Sequence, residues 1–202
     1  AAGAYFMNSN LHGTAQELSI FMALGSLPAF LFMPLVPWFK RMFGKKNMFY
    51  IFLTAAIVGM AMLYFISKMK NPSMMMIYIA QFIKSTGVIV STGYMWALVP
   101  EVISYGEYTT GRRISGIVNA LTGLFFKAGM TFGSIVGPAV LAYVGYNSAS
   151  VNQTPLAEEG ILWLVCVIPA VLLMLAIYFV SQYELTDEVI DKINREIENR
   201  NR

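Results

Sequence analysis

The 202-residue chain is 57% hydrophobic and 12% charged, with a net charge of +3 and a mean hydropathy of +0.60. A soluble domain carries about 25% charged residues because its surface faces water, so this composition excludes a water-covered globule and places lipid around most of the outside. The basic residues lie in connections and a tail and form no stripe, which argues against a nucleic-acid partner. The one cysteine, Cys166, excludes an internal disulfide framework and reads as a small buried hydrophobe.

In chain order, the opening AAGAYFMNSN has neither an initiator methionine nor a basic n-region. Its apolar piece, Ala1 to Met7, is far shorter than the roughly 20 residues a crossing needs. It reads as a short apolar stub, and the chain is expected to be a fragment or to lack an earlier part of the protein. The first full span runs from about Leu18 to Phe39, and its Pro28, Pro34 and Pro37 predict bends. It stops at the basic turn KRMFGKK, where Gly44 permits a tight reversal. The second span, about Met48 to Ile66, has no charge and no proline, and Lys68, Lys70 and Pro72 close it. The third covers about Met74 to Val99 with Lys84 inside; Pro100 is expected to end it and open a loop that lasts to Arg113.

The fourth span, Ile114 to Val144, carries Asn119, Lys127 and Pro138. A polar connection follows, in which Asn152-Gln-Thr154 is only a weak glycosylation match. The fifth span, about Gly160 to Val180, contains Pro169. The spans make one domain, 1–180, and residues 181–202 make a charged tail. In that tail Val189, Ile193 and Ile197 recur every four residues and share a helical face. Either an amphipathic helix rests at the membrane surface there, or the face docks another subunit. The fourteen methionines suit lipid-facing or interhelical filling.

Alternating crossings put Lys40, Arg41, Lys45, Lys46, Arg112, Arg113, Lys192, Arg195, Arg200 and Arg202 on one side and only Lys68 and Lys70 on the other. This bias places the tail in the cytoplasm. The two remaining basic residues, Lys84 and Lys127, are intramembrane. A charge in hydrocarbon is costly and generally faces a cavity or a carboxylate. Lys127 is 13 residues into its span, roughly 20 Å along the axis and beyond easy snorkelling. Asn119 and Gly123 stand one turn apart on the same strip, which suits a water-lined face. A functional role and a structural ion pair both fit Lys127. Gln81, Lys84, Ser85 and Thr86 form a second polar patch, either cavity-lining or a structural hydrogen-bonding cluster. Tyr94 and Trp96 could stack on a ligand or anchor a helix end at the interface.

Every Asp and Glu is expected in a loop, at a membrane edge or in the tail, so any intramembrane partner of Lys127 must come from another chain or an earlier part of the protein. In the loop expected at Pro100–Arg113, the charges of Glu101, Glu107, Arg112 and Arg113 could latch neighbouring helix ends, or simply be solvated. With one histidine, His12, and no CxxC, HExxH, GxSxG or GxxxxGK, the sequence gives no basis for an enzyme or a bound cofactor. Scattered single polar residues suit a solute site between helices better than a channel filter.

The stretch WALVPEVISYGEYTTGRRISGIVNALTGLFFKAGMTFGSIVGPAVLAYVGY resembles the signature region of the glycoside–pentoside–hexuronide:cation symporters, the melibiose-permease family of the major facilitator superfamily. RMFGKK and YELTDEVIDKINREI are similar to that family's basic loop between helices eight and nine and to its cytoplasmic tail. The resemblance implies an all-α membrane protein, with this chain as the C-terminal six-helix bundle: five full spans plus the end of a sixth. It implies symport of a sugar, glycoside or uronide with Na⁺, Li⁺ or H⁺ by alternating access in a bacterial inner membrane, by a protein that works as a monomer. It further implies that Lys127 lies at the sugar and cation region, near coupling carboxylates of an N-terminal bundle. Tyr105, Gly106 and Glu107, with Arg112 and Arg113, would belong to a cytoplasmic gating loop. The turn before the lysine, Leu121-Thr-Gly-Leu-Phe-Phe126, departs from the Gln and Thr of the melibiose-permease pattern, which argues against melibiose itself. A non-sugar solute such as a lipid, or a membrane scaffold that transports nothing, are the alternatives.

Overall fold

The computed structural model describes residues 2–112, 114–148, 150, 152–183 and 187–200, and the elements among them are all helical. A four-residue α1 (Ala2–Tyr5) runs into a π-turn at Phe6–Asn10 whose Phe6 and Met7 are buried. Thr14 then caps α2 (Ala15–Phe32): its hydroxyl accepts the Glu17 N–H, and the Glu17 carboxylate accepts the Thr14 N–H at 2.7 Å. This reciprocal pairing satisfies two donors that a helix start would otherwise leave open. Pro28 stays inside α2, whereas Pro34 lies in a 3₁₀ turn, Met33–Leu35, that joins α2 to α3 (Val36–Phe43). Pro37 sits in the first turn of α3, where no backbone donor is required. The α-helix of this span is therefore interrupted at Pro34 and not at Pro28 or Pro37.

Gly44, at φ 74°, reverses the chain into α4 (Lys45–Ser67). Its 23 residues reach about 34 Å, enough for a hydrocarbon core of roughly 30 Å. The next helix, α5 (Met74–Thr110), corrects the sequence reading. Pro100 does not end it, and 100–110 is helix where a loop was expected. A mid-helix proline costs about 3 kcal/mol, which is offset here by the packing of the turns beyond it, Glu101 against Lys45 and Gly106 against Ile114. The helix stops instead at Gly111, whose left-handed φ of 69° lets its N–H close on the Glu107 carbonyl.

After α6 (Ser115–Tyr143), the last span is built from α7 (Pro155–Leu162), a π-turn at Trp163–Val167 and α8 (Ile168–Ser181). It starts five residues before the expected Gly160, because Thr154 caps it and Pro155 fits its first turn. The π-turn lies directly before Pro169, whose ring supplies no donor to the preceding turn. Among the described residues, five helical segments are long and apolar enough to cross a membrane.

The packing centres on α4 and α5. A Cβ placed on Gly59 would lie 2.5 Å from the Lys84 backbone nitrogen, and one on Gly87 would strike the Phe52 carbonyl, so the two backbones meet through these glycines. On another side of α5, Gly25 of α2 receives the Gln81 amide. Two buried clusters result, one around Phe6, Phe21, Leu63, Ile77 and Ile161, the other around Met48, Phe49, Val90 and Tyr94. By contrast, only Leu141 is buried in the whole length of α6.

The tail helix α9 (Asp187–Arg200) packs on α5 of the same chain. Among its described side chains Ile190 and Ile193 are buried, while Val189 is 40% exposed. Of the expected face of Val189, Ile193 and Ile197, Ile193 and the half-buried Ile197 are on the packed side, and Ile190 takes the place of Val189.

Candidate functional site

The open side of α6 is the first element of the site. Asn119, Gly123 and Lys127 follow at one-turn intervals, and Asn119 and Lys127 are exposed. The Asn119 amide donates to the Ser115 carbonyl of its own helix at 2.8 Å. Beyond the helix's own neighbouring backbone, no heavy atom lies within 4 Å of a Cβ built on Gly116, Gly123, Gly129, Gly133 or Gly137. The ion pairs among the described residues are Lys40–Glu101, Lys45–Glu101 and Lys68–Glu159, and Lys127 belongs to none of them. On the flank of this strip, Thr122, Phe125, Phe126, Gly129 and Met130 meet Met95 of α5 around an open groove of about 550 Å³. Trp96 joins from α5 and packs edge-on against Phe126 at 5.4 Å between ring centres. The structure therefore brings Trp96 to the helix of Lys127.

Gln81 and Lys84 are elsewhere, on the side of α5 that faces α2. Gln81 is 5% exposed, and its Oε1 has no hydrogen-bond partner among the described residues. Lys84 is half-buried, its ammonium 5.9 Å from the centre of the Phe21 ring and in none of the described ion pairs. Tyr94, expected at a ligand or at the interface, is instead 2% exposed and packs on Phe49 at 5.2 Å. Its ring fills the α4–α5 core, because position 94 faces α4 rather than the groove.

At the basic end, Tyr105, Gly106 and Glu107 lie on the last turns of α5 and not in a loop, for the reason given at Pro100. Tyr105 is exposed, Glu107 is half-buried, and Gly106 is buried with Ile114 Cγ1 2.8 Å from where its Cβ would be. Arg112 is exposed and makes no ion pair among the described residues; Arg113 lies outside them. The latch-like pairing falls to Glu101. Its carboxylate accepts from Lys45 at 2.8 Å and Tyr183 at 3.3 Å, with Lys40 at 3.8 Å. Lys45 is only 6% exposed, so this charge is held inside the helix junction.

The opposite end has a second cluster that the sequence reading did not single out. Lys68 lies 2.9 Å from the Glu159 carboxylate, Tyr64 donates its hydroxyl to Glu159 at 2.9 Å, and Trp163 donates its ring N–H at 3.3 Å. The Lys68 ammonium also donates to the Tyr64 hydroxyl at 2.8 Å. These bonds to Tyr64 and then Glu159 raise the Lys68 pKa above its ordinary value. Both clusters had one legible signal, a charged residue at the edge of an apolar run. Which partner each charge takes depends on helix packing. Among the described residues no group of three or more His, Cys, Asp or Glu could hold a metal ion.

The family model described as MFS/sugar transport protein matches residues 1–187. The chain belongs to this family. Among its relatives, the uncharacterized symporter YnaJ of Bacillus subtilis (strain 168) is 36% identical over 202 residues, 100% of this chain and 42% of that protein. The glucuronide carrier protein homolog of Escherichia coli (strain K12) is 34% identical over 167 residues, 83% of this chain and 36% of that protein. The isoprimeverose transporter of Lactiplantibacillus pentosus is 28% identical over 163 residues, 79% of this chain and 33% of that protein. The chain thus spans less than half the length of these relatives. Its five apolar helices fit a multi-spanning all-α bundle of that kind.

Proposed function

We propose that this chain is the C-terminal half of a secondary symporter that moves a sugar, glycoside or uronide with Na⁺ or H⁺ by alternating access. The observation that carries the reading is the open face of α6, a spanning helix on which only Leu141 is buried and which displays Lys127 at mid-span. An ammonium at that depth is costly unless another group meets it. In this reading a preceding six-helix bundle covers the face and supplies the coupling carboxylate. The solute lies between the bundles, against the strip of Asn119, Gly123 and Lys127, with Trp96 and Phe126 as a ring-stacking edge. The relatives described as a glucuronide carrier protein homolog and an isoprimeverose transporter favour a sugar-type solute. Gly106, Glu107 and Arg112 then form the cytoplasmic gate where α5 turns into α6, and the basic end faces the cytoplasm of a bacterial cell.

Uptake of a radiolabelled sugar panel into vesicles carrying the full-length protein, with and without Na⁺ or a proton gradient, tests the reading. Without the ammonium, the carboxylate that meets it in this reading would be left uncompensated at the solute site. Lys127→Ala is therefore expected to abolish gradient-driven uptake while the protein still inserts. Wild-type rates in that variant would refute the role of Lys127, and no gradient-driven uptake of any panel member by the wild type would refute sugar symport.

A further inference from the structure

The ion pair of Lys68 and Glu159 stands at the mouth of a groove. α8 and the π-turn before it pack along α4, and the seam between them leaves an open space of about 220 Å³. Ile57, Ala61 and Tyr64 line it from α4, and Cys166, Ala170 and Met174 line it from the other side, each set spaced by about one helical turn. The groove therefore runs along the helices, over roughly 10 Å from Ile57 to Tyr64. Its lining side chains are apolar except for the Tyr64 hydroxyl and the Cys166 thiol. None of the described lining residues belongs to α6, so the groove lies apart from the open face of that helix.

Tyr64 joins the two parts: its ring lines the groove and its hydroxyl donates to Glu159. Lys68 follows the last residue of α4, and Glu159 lies in the first helix of the last span, the level where hydrocarbon gives way to headgroups. Lys68 and Glu159 pair with each other and, among the described residues, with no other ionised group. Both remain reachable, their side chains 44% and 38% exposed. The mouth thus presents one positive and one negative charge side by side. Glu159 Oε1 accepts from Tyr64, Lys68 and Trp163, whereas Oε2 meets only Lys68 among the described residues. Oε2 has room for one more N–H donor. An occupant that matches groove and mouth carries an apolar chain, an anion for Lys68 and a cation with N–H groups for Glu159. A glycerol headgroup brings the anion alone, and a choline headgroup brings a cation without N–H. We infer that this groove binds phosphatidylethanolamine, with an acyl chain along the α4–α8 seam, the phosphate beside Lys68 and the ammonium donating to Glu159 Oε2. The inference needs only the membrane-spanning arrangement and is independent of the proposed transport.

Native mass spectrometry of the full-length protein in mild detergent, with equimolar phosphatidylethanolamine, phosphatidylglycerol and phosphatidylcholine of the same acyl chains, tests it. An exposed ion pair is worth up to about fivefold, so bound phosphatidylethanolamine should exceed each competitor by about threefold or more. Glu159→Gln should abolish this preference. Ala61→Trp, at an exposed position of the lining, fills the groove without touching the ion pair and should lower bound phosphatidylethanolamine by a similar factor. Ile79→Trp, at an exposed position of α5, should leave it unchanged. Size-exclusion profiles identify any variant that misfolds, and either Glu159→Gln or Ala61→Trp then suffices. A smaller preference over either competitor in the wild type would overturn the site. So would a preference that survives Glu159→Gln, undiminished binding in Ala61→Trp, or an equal loss in Ile79→Trp.

Discussion

Lys84 and Lys127 are both ammonium groups at mid-span, yet their side chains meet different surroundings. The Lys84 backbone abuts Gly59, and its ammonium lies over the Phe21 ring, inside a helix pack that offers it no described ion pair. Replacing a buried charge by an apolar residue of similar length is often neutral or stabilising. Lys84→Met is therefore expected to leave the thermal midpoint in detergent unchanged or raised, whereas a clear drop would show that the ammonium itself holds α2 on α5. Lys127 has no such packing on its exposed side, and its substitution should be read in uptake rather than in stability. At this scale the sequence was informative about which positions are polar. It was silent about their direction: Tyr94 and Trp96 are two residues apart, but one fills the core against Phe49 and the other meets Phe126. A helix advances about 100° per residue, so only the positions of α4 and α6 separate them.

Helix ends were harder to place than helix middles. The apolar runs located all five spans, since a stretch of about 20 apolar residues has few alternatives. Pro100 misled because a proline marks a probable end only where nothing beyond it packs, and here Glu101 and Gly106 do. The informative residue was Gly111, whose left-handed conformation closes α5. The tail shows the same effect. A strict four-residue spacing selected Val189, while the real stripe begins at Ile190. Burying an isoleucine contributes roughly 2 kcal/mol, so Ile190→Asp should release α9 and expose the tail to limited proteolysis. Val189→Asp, on the exposed side, should leave the cleavage pattern unchanged. The reverse ranking would place the docking face where the spacing put it.

For the molecule as a whole, two polar clasps at opposite ends hold the helices in register, Glu101 with its lysines at one face and Glu159 with Lys68 at the other. The second has a pH dependence of known sign. Because the folded-state pKa of Lys68 is raised, its stabilisation is fully present below the ordinary lysine value and is lost as pH rises through the higher folded value. Lys68→Met should accordingly lower the thermal midpoint at neutral pH, and the gap to the wild type should close only in strongly alkaline buffer. A gap that closes near pH 7 would assign the effect to another group. The individual clasps were not legible in the sequence, since Lys45 and Glu101 are 56 positions apart and Lys68 and Glu159 are 91 apart.

The unbroken run of α5 through Pro100 has a mechanical consequence. Its 37 residues form a rod about 55 Å long, well beyond the bilayer interior. The tail helix is fastened to the protruding end. Tilting the rod by 10° about its midpoint would sweep that end, and the helix riding on it, through roughly 5 Å. Small rearrangements deep in the membrane would thereby be magnified at the water-exposed surface, and the charged tail would serve as their pointer.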